Sequence, residues 1–111
     1  MFHRNTDKNE ITLPIGYDAA FDLVLKAAES MKKVKITDQN KTMGTINFRQ
    51  GMLLLKMRNP VKFTVNIVKQ GDDATIIRTT CVSSEAQGAA GMSSSQRSYE
   101  DFVTALSNLT K

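Results

Sequence analysis

Apolar and polar positions alternate through most of this chain, and two stretches depart from that period of two. Glu10-Ile11-Thr12-Leu13-Pro14 alternates and stops at a proline, which has no N–H to give to a ladder; it predicts a short edge strand. From Tyr17 to Met31 the apolar positions Tyr17, Phe21, Val24, Ala28 and Met31 are spaced by three and four, one face of an amphipathic helix. Asp18 and Asp22 near its start and Lys32 and Lys33 near its end suit the helix dipole. Alternation then returns. Val34 and Ile36 share one face, Asp38-Gln39-Asn40-Lys41 reads as a polar turn, and Ile46 and Phe48 point inward while Thr45, Asn47 and Arg49 point outward. Gln50-Gly51 bends the chain. Val61, Phe63, Val65 and Ile67 face one way and Lys62, Thr64 and Asn66 the other. Gln70-Gly71-Asp72-Asp73 reads as a hairpin turn, with Gly71 available for positive φ. The returning strand, Ala74 to Val82, places Ile77 and Cys81 inward and Arg78 and Thr80 outward. Ser93 opens the last helix, with Gln96 three residues on completing a capping box, and Tyr99, Phe102, Val103, Leu106 and Leu109 form its apolar stripe.

The order is strand, helix, four or five strands, helix. With Gly44-Thr45-Ile46 beginning a strand after the first helix, it resembles the TATA-binding-protein-like and helix-grip architectures, and small bacterial domains with the same Gly-Thr-Ile strand. The resemblance spans roughly residues 10 to 110 and implies an α+β fold, β-α-β(4-5)-α, with both helices packed on one face of an antiparallel sheet. It brings no defined site with it. A length of 111 residues suits one domain, taken as 10–111 behind a flexible leader, 1–9.

Composition removes several function classes. One Cys excludes an internal disulfide framework and a Cys-rich zinc site, and a single His, His3 in the leader, is poorly placed for catalysis or metal binding. No cofactor and no metal are expected. Cys81 lies among apolar neighbours and reads as a small buried hydrophobe rather than a nucleophile. Asp72-Asp73 falls in a turn and Glu100-Asp101 on the polar side of the last helix; neither has a partner for acid–base work. A non-enzymatic domain is therefore expected. No signal peptide or run of 18 apolar residues is seen, which points to the cytoplasm.

Three surface features remain as candidates. Between Lys32 and Lys69 nine basic residues face Asp38 alone, a balance of +8 within a net charge of +4. Alternation projects Lys33, Lys35, Arg49, Lys62 and Arg78 onto the outward sheet face, as a solvated surface or as a site for a polyanion, either nucleic acid or an anionic membrane. The run Met52-Leu53-Leu54-Leu55-Lys56-Met57 holds more apolar residues than one inward face takes. Met52, Leu53, Leu55 and Met57 thus form a candidate interaction edge, for a protein partner or for a second copy in a homodimer. Gly91, Ser93, Ser94 and Arg97 surround the start of the last helix, where backbone N–H groups attract anions; a flexible connector with a good cap explains the same residues. The leading reading is a protein-interaction or self-association module, with polyanion binding through the sheet as the alternative. A helix-grip pocket for a small apolar ligand is a third class.

Overall fold

The computed structural model of the chain describes residues 3–5, 9–51, 60–83 and 94–110. Six strands form one sheet: β1 (His3–Asn5), β2 (Glu10–Leu13), β3 (Val34–Asn40), β4 (Thr45–Gln50), β5 (Val61–Gly71) and β6 (Ala74–Ser83). Their spatial order is β1-β2-β6-β5-β4-β3 and every pairing is antiparallel. Helix α1 (Tyr17–Ser30) leads from β2 to β3 at the far edge, so it crosses the sheet; α2 (Ser94–Leu109) follows β6. The fold is α+β, as the pattern of elements predicts, and both helices lie on one face of the sheet, as the resemblance implies.

That face is a continuous apolar layer. Phe48 and Phe63, opposite each other on β4 and β5, stack at 4.4 Å, and Phe102 of α2 caps them at 5.6 and 6.0 Å. Phe21, Val24, Val65, Ile67 and Leu106 are buried with them. Alanines explain how α1 lies so close: Ala20, Ala27 and Ala28 are fully buried in its sheet-facing stripe. Two buried polar links tie the layers together. Gln50 donates from Nε2 to the Lys32 carbonyl at 3.0 Å and accepts at Oε1 from the Ser98 hydroxyl at 2.6 Å, joining β4 to the end of α1 and to α2. Thr75 donates to the Ile15 carbonyl at 2.9 Å, fixing the approach to α1.

Several local expectations are corrected. The residues before Glu10 contribute a strand, because His3–Asn5 pairs with β2. β2 is therefore an inner strand rather than an edge. Asp38, Gln39 and Asn40 continue β3 instead of turning; the turn falls at 41–44 and a bulge lies between Ile36 and Asp38. On an edge strand, polar side chains remain in water and cost nothing, so polarity there does not mean a turn. Gly71 ends β5 and has no positive φ; the hairpin turns at Asp72-Asp73. Gln50 belongs to β4 and is buried rather than forming a bend. Leu109, at the end of the α2 stripe, is 43% exposed.

Candidate functional site

With both helices on one side, the other face of the sheet carries no described element. Strand register sorts its side chains into rows. Lys35 pairs with Arg49, Arg49 with Lys62 and Lys62 with Val82, which puts three cations side by side on β3, β4 and β5. All three are exposed, and Val82 at the end of the row is 60% exposed. Adjacent strands lie about 4.8 Å apart, so the row spans about 10 Å from Lys35 to Lys62. None of the three side chains makes an ion pair or hydrogen bond among the described residues.

The neighbouring row is polar: Thr80, Thr64 and Asn47, closed at the β3 edge by Asp38. Thr64 donates from its hydroxyl to Asn47 Oδ1 at 2.9 Å. This bond fixes the Asn47 amide, leaving its NH₂ as a donor group beside the cations. In the third row Arg78 stands opposite Glu10 and Nε meets Oε2 at 2.8 Å.

The structure thus divides the five basic residues that alternation placed together. Lys35, Arg49 and Lys62 form one row. Arg78 lies on the same face but is already paired. Lys33 precedes β3 in a turn with φ at 59°, outside the paired register, and its carbonyl accepts from the Gly51 N–H at 3.0 Å. Sequence periodicity fixes which face a residue takes, but only register decides which cations are neighbours. For that reason the row itself was missed, together with the Glu10–Arg78 pair.

The other candidates gain no geometry. Met52, Leu53, Leu55 and Met57 lie outside the described residues, as do Gly91 and Ser93 and the side chain of Ser94. Arg97, on the first turn of α2, is half-buried. The space between sheet and helices, where a helix-grip ligand would sit, is filled by Phe48, Phe63 and Phe102, all fully buried. Two grooves are lined by described residues: one of about 420 Å³ beside Met31, Gln50 and Thr104, and one of about 300 Å³ beside Pro14 and Leu23. Gln50 spends both ends of its amide on Lys32 and Ser98, so it offers the first groove little recognition. Among the described residues no three His, Cys, Asp or Glu side chains gather to hold a metal, and no helix is long and apolar enough to cross a membrane. Comparison with protein-family models and with curated proteins finds no match for this chain.

Proposed function

We propose that this chain is a non-enzymatic module that holds the phosphate backbone of a nucleic acid against the open face of its sheet. The observation that carries this reading is the row Lys35–Arg49–Lys62. Like charges directly opposite on neighbouring strands destabilise a sheet. Phosphates laid along the row relieve that repulsion, and their condensed counterions are released. Asn47 and Thr64 supply neutral hydrogen-bonding groups alongside. Contacts of this kind orient a protein on the backbone without reading sequence.

Self-association is the other reading of the sequence, and residues 52–57 that would carry it lie outside the described residues. The β3 edge does not favour it: a bulge after Ile36 and the charges of Lys35 and Asp38 are features that discourage edge-to-edge pairing.

The test is titration of a nucleic acid across salt. Three phosphate contacts give a log–log slope of about −3 on duplex DNA, at about 0.9 per contact. Lys35→Glu with Lys62→Glu is expected to abolish binding without lowering the unfolding midpoint, since both positions are exposed and each reversal places a carboxylate opposite Arg49. Binding that survives both reversals, or no binding even at low salt, rejects the proposal.

A further inference from the structure

Resting on that reading, we infer that the backbone taken by the open face is that of a duplex and not of a single strand. Single-strand sites combine a basic groove with aromatic side chains on which successive bases stack, each stack worth about 1–3 kcal/mol. The described open face has no aromatic residue. Phe48 and Phe63 are on the opposite side of the sheet and fully buried; Phe21, Tyr99 and Phe102 are buried in the helix layer. Tyr17 packs against the same core, and its hydroxyl donates to the Lys41 carbonyl at 2.5 Å. An unpaired strand on this face would leave its bases without a partner surface. A duplex keeps its bases stacked internally and presents only what the face can use, an array of phosphates.

Counterion release points the same way. The salt exponent is about 0.9 per contact for duplex DNA and about 0.7 for single strands, so three contacts separate the two by about 0.6. Each tenfold drop in salt therefore shifts the ratio about fourfold toward the duplex. Asn47 adds a donor that carries no charge, held by Thr64, so its loss lowers affinity without changing the slope.

The experiment compares a 20-base-pair DNA duplex, each of its separated strands and anionic phosphatidylserine vesicles, with the full chain and with the Lys35→Glu/Lys62→Glu variant. The expected result is duplex binding tighter than either strand at about 50 mM salt, by a margin that grows about fourfold per tenfold drop in salt, a duplex slope near −3 and loss of both in the variant. Thr64→Val is expected to weaken duplex binding with the slope retained. Single strands bound as tightly as the duplex, or more tightly, would falsify the inference and leave phosphate recognition standing. Failure of every nucleic acid to bind, with or without vesicle binding, overturns the phosphate-backbone reading and the inference together.

Discussion

Gly44 illustrates how much one residue settles. Its φ is +73°, and a side-chain carbon there would press on the Ile67 carbonyl oxygen and lie 2.8 Å from the Tyr17 hydroxyl. The Gly44 carbonyl in turn accepts from the Ile67 N–H at 2.7 Å, so neither partner can retreat without breaking the join between the β3–β4 turn and β5. Gly44→Ala is expected to cost about 1–3 kcal/mol in chemical denaturation. Gly71→Ala is the control, because nothing lies within 4 Å of the added carbon; equal losses in the two variants would sink the argument. Cys81 offers a test by pH. Burial pushes its thiol from 9.0 up to about 12. Between those values the unfolded chain has released the proton and the folded chain has not, so stability falls as pH rises; below about 9 the thiol contributes no pH dependence. Urea midpoints followed from pH about 8 to about 10.5 should fall more steeply in the wild type than in Cys81→Ala. Parallel curves would mean that the thiol is not held neutral by the fold.

At the scale of elements, the pairing of β4 with β5 has two sides with opposite energetics. Inward, Phe48 and Phe63 stack at 4.4 Å under Phe102. Phe63→Ala removes the middle of that cluster and is expected to cost about 3–5 kcal/mol, from lost transfer energy and from the cavity left behind. A change under about 1 kcal/mol would mean that the cluster does not hold the layers together. Outward, the same register aligns Arg49 with Lys62 and Lys35. Arg49→Thr replaces the central charge by a good strand former and is expected to raise stability by about 0.2–1 kcal/mol at low salt. The gain should shrink at about 1 M salt, where the Debye length is about 3 Å. The same substitution should weaken nucleic-acid binding. Lower stability at low salt would show that the arginine stem packs more than its charge repels.

Across the whole molecule, the two helices divide the sheet into a face that holds the fold and a face that no described element covers. α1 crosses from β2 to β3 and α2 returns after β6, so both apolar stripes are spent on one side. The positive balance between Lys32 and Lys69 is not spread evenly over the surface. Lys41 leaves the open face and meets Asp18 and Asp22 at 3.6 and 3.9 Å, while Lys69 meets Asp72 at 3.8 Å beside the β5–β6 turn. Among the described residues of this stretch, Lys35, Arg49 and Lys62 are the cations aligned side by side on the open face. In the proposed function its field adds to the rate of encounter with a nucleic acid as well as to the affinity.

Residue periodicity along the chain sets most of the element types, the faces and most of the core. A period of two commits each strand residue to one side of the sheet, and the three-and-four spacing commits Phe21 and Val24, or Phe102 and Leu106, to one side of a helix. Phe21, Val24, Ile46, Phe48, Phe63, Val65, Phe102 and Leu106 are all buried as that pattern requires. It could not supply neighbours between elements, because register is a relation between distant segments and leaves no trace in either one alone. Strand register and packing put Lys35, Arg49 and Lys62 in one row, give Glu10 to Arg78, and bury Gln50 against Lys32 and Ser98. They also extend Asp38 to Asn40 as an edge strand, where polar residues keep their water, and hold Lys33 in a left-handed conformation just before it. Local pattern carries the direction of a side chain because backbone geometry sets it within a few residues. What that side chain meets depends on which strand the chain lays beside it, and this is settled by the packing of the whole sheet against its helices.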